Sequence, residues 1–329
     1  MKVLFIGGTG NISTSVSKLC VKRGIDLYLL NRGNRNVIIP DAKIIKADMS
    51  QTKNITSALQ NHKWDAVVNW IAFNTEDIQR DYDLFNGKTK QYIFISSASA
   101  YQKPATHPVI TESTPLKNPV WKYSQNKIAC EELLNTLYRN DDFPITIVRP
   151  SYTYDTVIPV AIGGFNEYTI IDRMKKGQKI IVHGDGTSLW TNTHAEDFAV
   201  GFAGLIGNRQ SIGHAFHITS DEILTWDQIY TMVADAAGVD PNIVHIPSDF
   251  ISGFDEDLRG SLLGDKSYSG IFDNSKIKMF VPEFKAIIPF SEGIKRTLLW
   301  FEKDLIRQII KKETNQLMDK IISQYEKIN

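Results

Sequence analysis

Tyr123 and Lys127 stand four residues apart in a stretch of helical character, so their side chains rise from one face, one turn apart. A phenol with an ordinary pKa of about 10 is a poor base near neutrality. A neighbouring ammonium favours the phenolate and draws it toward the working pH. The pair is therefore a candidate proton shuttle, with Tyr123 as acid/base and Lys127 as its electrostatic partner. Spacing alone is weak, because a chain with 12 Tyr and 26 Lys supplies about one Tyr-x-x-x-Lys by chance. Position carries the argument. The apolar run before the helix ends in Ser96-Ser97-Ala98-Ser99-Ala100-Tyr101, and hydroxyls at the carboxyl end of a strand in an open α/β sheet lie on the edge where ligands bind. Ser97 is the candidate to hydrogen-bond the oxygen of a reacting carbon. The bland alternative makes Tyr123 a packing residue and Lys127 a solvated one.

A second constellation, Gly7-Gly8-Thr9-Gly10-Asn11-Ile12-Ser13, follows the first apolar run and opens the first helix. Glycines there allow a tight turn and let backbone N–H groups and the positive helix end approach a pyrophosphate. Gly7, Thr9, Gly10, Asn11 and Ile12 are candidate contacts to a dinucleotide, and a plain structural turn is the alternative. The third glycine of the usual fingerprint is Ser13 here, small enough to fit with some strain. At the end of the second strand the chain reads Asn31-Arg32-Gly33, where a carboxylate would bind the ribose hydroxyls of NAD. A neutral Asn31 does not repel a ribose phosphate and Arg32 can pair with one, so the expected preference is NADP(H) over NAD(H). An exposed loop arginine is the alternative for Arg32.

These groups need a scaffold that brings them to one edge. Lys2–Ile6, Asp26–Leu30, Lys43–Ala47, Asp65–Asn69, Gln91–Ser96 and Phe143–Val148 are short β-rich runs, separated by helical patterns at Asn11–Arg23, Asn54–Gln60, Glu76–Phe85 and Trp121–Tyr138. Alternation of this kind implies parallel strands with crossover helices on both faces, a doubly wound parallel sheet of the α/β class. It is expected over residues 1–155, with 193–220 returning to it through a helix at His194–Ile206 and a strand at Ala215–Thr219. Residues 156–192 and 221–329 read as a smaller mixed α/β domain for substrate. Leu298, Leu305, Ile309, Ile310, Leu317, Ile321 and Ile322 recur at near-helical spacing, predicting a helix from about Gly293 to Tyr325. That helix packs on its own protein or, as the alternative, forms a homodimer.

With 329 residues, 42% of them hydrophobic and 22% charged, the chain has enough material for about two folded domains, which excludes a disordered one. Lys+Arg 37 balances Asp+Glu 37, so nothing in the net charge favours nucleic acid or anionic lipid. Cys20 and Cys130 sit in helical patterns outside any metal-ligand spacing and read as buried packing residues. His214 and His217, three apart on a strand, point to opposite faces, and His194 reads as structural. No metal site is expected. No charged leader precedes Met1–Ile6 and no run approaches a membrane span, so the expected compartment is the cytoplasm.

The residues together resemble the extended short-chain dehydrogenase/reductase superfamily, the nucleotide-sugar epimerase/dehydratase group, with its Rossmann domain. Gly7-Gly8-Thr9-Gly10, Ala72, Phe94-Ile95-Ser96-Ser97 with Tyr101, Tyr123-x-x-x-Lys127, Arg149-Pro150, Gly184-Asp185-Gly186-Thr187, Asp197 and Asp273-Asn274-Ser275-Lys276 stand in the family's order. The resemblance implies Tyr123 as general acid/base, Lys127 as its partner and Ser97, four before Tyr101, as the catalytic hydroxyl. It implies that Asp48 and Met49 contact adenine and adds Ala72 and Pro150 to the cofactor set. Dehydratases of the group carry Asp-Glu directly after the catalytic hydroxyl residue; Ala98-Ser99 here argues against dehydration. Ser188-Leu189-Trp190-Thr191 replaces the arginine with which many members bind a diphosphate, which weakens a nucleotide sugar as substrate. Asn31-Arg32-Gly33 and Leu189-Trp190 resemble an atypical branch that includes chloroplast stem-loop RNA-binding proteins.

The expected activity is NAD(P)-dependent oxidoreduction or epimerisation at a hydroxyl-bearing carbon of a sugar-like molecule or other small alcohol or ketone. Ser99, Asn74, Tyr152 and Trp190 are the expected substrate contacts, Trp190 being either a stacking side chain or a core filler. The rivals are a cofactor-bound RNA-binding or regulatory protein that has lost turnover and a purely structural subunit.

Overall fold

The computed structural model describes residues 1–34, 37–60 and 62–328. Seven strands, β1 (Lys2–Ile6), β2 (Asp26–Asn31), β3 (Lys43–Lys46), β4 (Ala66–Asn69), β5 (Tyr92–Ile95), β6 (Ile145–Pro150) and β7 (Ala215–Ile218), form one sheet. Its order is β7-β6-β5-β4-β1-β2-β3 and every pairing is parallel. Alternation along each strand divides the apolar side chains between two layers. Val3, Phe5, Leu29, Val68 and Ile93 meet α1 (Asn11–Lys22) and α5 (Ala195–Leu205) on one face. Leu4, Ile6, Leu30, Val67, Tyr92 and Phe94 meet α2 (Thr52–Leu59), α3 (Thr75–Phe85) and α4 (Lys122–Asp141) on the other. The two layers make the strands buried runs, as the sequence pattern implied. The edge strand β3 is the exception, with both lysines and Ile44 exposed.

Chain order reverses between β1 and β4, which are neighbours in the sheet although α1, β2, β3 and α2 lie between them in sequence. The crossovers on either side of that point leave in opposite directions and open a crevice at the carboxyl ends of the strands. Cys20 and Cys130 are free, buried thiols in the two layers, and burial pushes each up to about 12.

A second core gathers Tyr154, Ile158, Ile170, Ile181, Trp226 and Tyr230 with α6 (Trp226–Ala236), α7 (Phe290–Glu302) and α8 (Lys312–Tyr325). The single terminal helix expected over 293–325 is therefore two. Asp304 accepts from Ile306 N–H to start a short 3₁₀ turn, and the chain is then drawn across the domain where Tyr168 N–H donates to Ile309 O. Leu298, Ile321 and Ile322 are buried, whereas Leu305, Ile309 and Ile310 are exposed. Apolar spacing alone did not reveal the break, because both halves keep the helical period.

β6 is fastened to α4 by a buried ion pair: Arg149 Nε and Nη2 donate to Glu131 Oε1 and Oε2 at 2.9 and 2.6 Å. The guanidinium also lies 4.8 Å over the Tyr101 ring and donates to Glu112 O. Removing one partner leaves the other charge buried and uncompensated. Glu131→Ala should lower the free energy of unfolding by about 3–5 kcal/mol, measured by urea denaturation, with the far-UV spectrum of the folded state unchanged.

Candidate active site

The chain leaves β1 through Gly7 and Gly8 at φ of +97° and +96°. A Cβ on Gly8 would stand 2.7 Å from Leu29 Cδ2, so this turn requires glycine on grounds of both conformation and space. Ser13 is buried rather than strained: its Oγ accepts the Gly10 N–H at 2.8 Å and caps α1 from within the first turn. Asn11 does more than line the crevice. Its side chain donates to Thr153 O at 2.8 Å and accepts from Thr156 N–H at 3.1 Å, clamping the glycine turn to the segment that leads into the second domain.

At the end of β2, Asn31 Oδ1 accepts the Gly33 N–H at 3.0 Å, forming a turn that sends Arg32 outward. Asp48 accepts from both the N–H and the hydroxyl of Ser50 at 2.9 Å. These bonds, with the Arg32 charge beside it, hold its carboxyl below the usual range. Lys46, in register with Asn31 on the adjacent strand, runs along Gly33. It adds a second cation at the place where Arg32 was singled out. Sequence reasoning missed it because only strand pairing places it there.

On α4, Lys127 is buried with its ammonium donating to Ala72 O and Ile95 O, each at 2.7 Å. These carbonyls lie just beyond β4 and at the end of β5, so one charged group ties both strand ends to the helix. Desolvation lowers Lys127 to about 8. Its Nζ stands 5.7 Å from the centre of the Tyr123 ring. The expected lowering of the phenol's pKa is not what this arrangement gives. Burial raises Tyr123, the hydrogen bond with Ser97 opposes that rise, and the charge of Asp265 adds to it. The ammonium spends its protons on two carbonyls, and the protonated phenol is the favoured form near neutrality.

Ser97 Oγ accepts the Ser99 N–H at 3.2 Å and lies 2.9 Å from Ser99 Oγ, to which Ser124 donates at 2.7 Å. Asn118 braces this cluster. Its amide nitrogen donates to Ser99 O and Gly264 O, and its oxygen accepts from Val120 and Trp121 N–H at the start of α4. Ser124 and Asn118 escaped the sequence reading; a serine beside the key tyrosine was the one visible trace of the first, and nothing distinguished the second.

Two lobes of a single crevice meet at these hydroxyls. One, about 700 Å³, is lined by Gly7 to Ser13, Leu30 to Asn34, Ala47 to Met49, Trp70, Ile71 and Phe73. The other, about 830 Å³, lies toward the second domain and is walled by Trp121, Tyr152, Trp190 and Phe272, with Ser99 in its floor. Ser97, Tyr123, Pro150 and Tyr152 line both. Trp190 packs 5.2 Å from Trp226 in the second core, as a core filler does, and one side of it also lines the lobe. Tyr152 commits its hydroxyl to Val160 O at 2.9 Å and offers the lobe its ring.

Two expected contacts are corrected. Asn74 is the N-cap of α3, its side-chain oxygen accepting Asp77 N–H at 2.9 Å, and it lines neither lobe. Ala72 is buried in the core layer and contributes its carbonyl to Lys127 rather than a surface to the lobe. His217 is held between the Tyr101 hydroxyl at 3.0 Å and Asp273 O at 2.7 Å, and His194 caps α5. No group of His, Cys, Asp or Glu among the described residues is arranged to hold a metal, and none of their helices is long and apolar enough to cross a membrane.

The first lobe fits a dinucleotide: left-handed glycines open a backbone cradle at the amino end of a twelve-residue helix, and Asn31, Asp48 and Met49 border the far end. Fold and site thus define an α/β protein of the doubly wound, dinucleotide-binding class. The chain belongs to the NAD dependent epimerase/dehydratase family, whose profile matches residues 3–219. Over 286 residues it is 22% identical to 2'-dehydrokanamycin reductase of Streptomyces kanamyceticus, covering 87% of this chain and 80% of that one. It is 27% identical over 268 residues to the chloroplast stem-loop binding protein of 41 kDa b of Arabidopsis thaliana, covering 77% and 68%. In fold it is similar to UDP-glucuronic acid 4-epimerase of Bacillus cereus in complex with NAD, at a TM-score of 0.73 and 18% identity over 92% of this chain and 97% of that one.

The buried ammonium sets a pH dependence of stability. The folded chain releases the Lys127 proton near pH 8 and the unfolded chain near 10.5, so between these values the unfolded state binds more protons and stability rises with pH. Relative to Lys127→Met, the wild type should gain roughly 3 kcal/mol from pH 8 to 10.5, measured by urea denaturation of both proteins across that window; parallel curves would refute the assignment.

Proposed function

We propose that the protein is an NADP(H)-preferring oxidoreductase or epimerase acting at a hydroxyl-bearing carbon of a sugar-like substrate, with Tyr123 as general acid/base. The observation that carries this reading is the meeting of the two lobes at Ser97 and Tyr123. A dinucleotide in the first lobe and a substrate in the second would meet at those two hydroxyls, with Phe73, Pro150, Ser151, Tyr152 and Phe165 also bordering both lobes. The nicotinamide, when bound, gives or takes the hydride. Tyr123 holds the proton at its phenol oxygen and passes it to the substrate oxygen as a ketone is reduced, or receives it as an alcohol is oxidised. Ser97 donates to the same oxygen as charge builds there, and Lys127 keeps the helix and both strand ends in place around them. The raised pKa of Tyr123 keeps the phenol protonated near neutrality, the form that acts as an acid when a ketone is reduced.

Support for NADP(H) comes from Arg32 and Lys46 at the β2 end, where the lining carboxylate of Asp48 is already engaged by Ser50. The second lobe has no arginine among its described lining residues, and Glu167, Asp255, Asp257 and Asp265 face it against Lys266. That balance disfavours a nucleotide diphosphate and suits a neutral or amine-bearing carbohydrate, in keeping with the kanamycin-related name of one relative. Ala98 and Ser99 offer no acid pair for dehydration. The name of the stem-loop binding relative favours RNA binding as a second reading. A salt-dependent shift of RNA mobility together with no nicotinamide binding would install it.

Fluorescence titration should show NADPH bound more tightly than NADH, with Arg32→Ala weakening NADPH about tenfold and NADH hardly at all. Equal affinities would remove the preference. On a carbohydrate ketone found by screening with the better cofactor, Tyr123→Phe should lower kcat by about 10²- to 10⁴-fold, and unchanged turnover would end the acid/base assignment. Mass analysis of the product separates reduction, which adds two hydrogens, from epimerisation, which adds none.

A further inference from the structure

The hydroxyls at the junction of the lobes form one chain with a fixed direction. Ser124, fully buried on α4, donates to Ser99 Oγ at 2.7 Å. Ser99 Oγ stands 2.9 Å from Ser97 Oγ, and the Ser99 N–H reaches the same Ser97 oxygen at 3.2 Å. A hydroxyl has one proton and two lone pairs. Suppose Ser97 donated to Ser99: Ser99 would then accept twice, and its own proton would find no acceptor within the cluster. The opposite polarity satisfies every group. Ser99 accepts from Ser124 and donates to Ser97, both lone pairs of Ser97 are filled, and the Ser97 proton must point away, toward its remaining partner, the Tyr123 phenol.

We propose that Ser99 and Ser124 are positioning residues that lock Ser97 as an obligate donor at the point where the Tyr123 and substrate oxygens meet. This rests on the reading of Tyr123 as acid/base and deepens it. A Ser97 free to accept would compete for the phenol's proton. A Ser97 that can only donate stabilises a phenolate, and its one proton can swing to the negative oxygen of a reacting substrate without the rest of the chain reversing. Ser124 is buried at the closed end of the chain, so the chain sets direction and does not conduct protons from solvent. It also gives Ser99 a use other than the substrate contact expected of it: the hydroxyl at the place of a dehydratase acid is turned toward Ser97.

The test needs no substrate. In full-length protein labelled with ¹³Cζ-tyrosine, the Tyr123 signal, assigned by its loss in Tyr123→Phe, is titrated by NMR. Ser124→Ala should raise the Tyr123 pKa by about half to one unit, a three- to tenfold loss of phenolate at a given pH. Ser99→Ala should raise it at least as far, and the double variant no further than Ser99→Ala alone, because both act through one chain. Ser124→Thr, which keeps the hydroxyl, should titrate as wild type. A shift under 0.2 unit in Ser124→Ala, or additive shifts in the double variant, would overturn the proposal. The two readings fail separately: displaced titrations without turnover on any ketone remove the enzyme assignment alone, while a Tyr123→Phe enzyme that loses turnover beside an undisplaced Ser124→Ala titration removes the serine chain alone.

Discussion

A buried ammonium bonded to carbonyls and to no carboxylate among the described residues organises the candidate site. Lys127 reaches across from α4 to the carbonyls of Ala72 and Ile95, which end two neighbouring stretches of the sheet edge. Withdrawing that charge from water is costly, as its depressed pKa of about 8 records. The cost is tolerated because two short charge-assisted bonds fix three elements at once. Without the tie, the helix bearing Tyr123 and the strand end bearing Ser97 would have no common reference, and the phenol and hydroxyl would not be held in one hydrogen bond.

The other half of the site depends on a reversal of strand order. The crevice between β1 and β4 exists whatever the side chains are. What the residues add is a turn that tolerates nothing larger than glycine at Gly8 and a clamp, Asn11, that carries the turn's position into the second domain. Ser13, which departs from the usual glycine, shows how a local rule can be broken without penalty: its hydroxyl replaces one lost contact with one satisfied helix-end N–H. Arg149 and Glu131 brace the far side of the site in the same economical way, pairing a strand end to the middle of α4 while Tyr101 covers the guanidinium.

Most of the scaffold and the core of the candidate site were legible because they are written in local patterns. Short apolar runs alternating with helical periods can only be parallel strands and crossovers, and a glycine cluster between the first pair marks the ligand edge. Tyr123 and Lys127 share a helix face by spacing, and Ser97 lies at a strand end by position. Asn74 was misread because a polar residue after a strand looks the same whether it faces a ligand or caps the next helix. The terminal helix was misread because the break near residue 304 depends on a partner, Tyr168, far away in the chain.

The class of fold, the glycine turn and the residues able to carry chemistry were readable along the chain, since each follows from periodicity, from position at a strand end or from the conformational freedom of single residues. The electrostatics and the direction of the hydrogen bonds came from packing. The fall of Lys127 and the rise of Tyr123 depend on how much water packing removes, and the polarity of Ser97 depends on Ser124, which meets Ser99 only when α4 closes over the end of β5. Lys46 joins Arg32 by strand register, and Asn118 joins three segments that are distant in sequence. Such relations have no local signature, because desolvation and hydrogen-bond partnership are properties of distances that the folded chain alone creates.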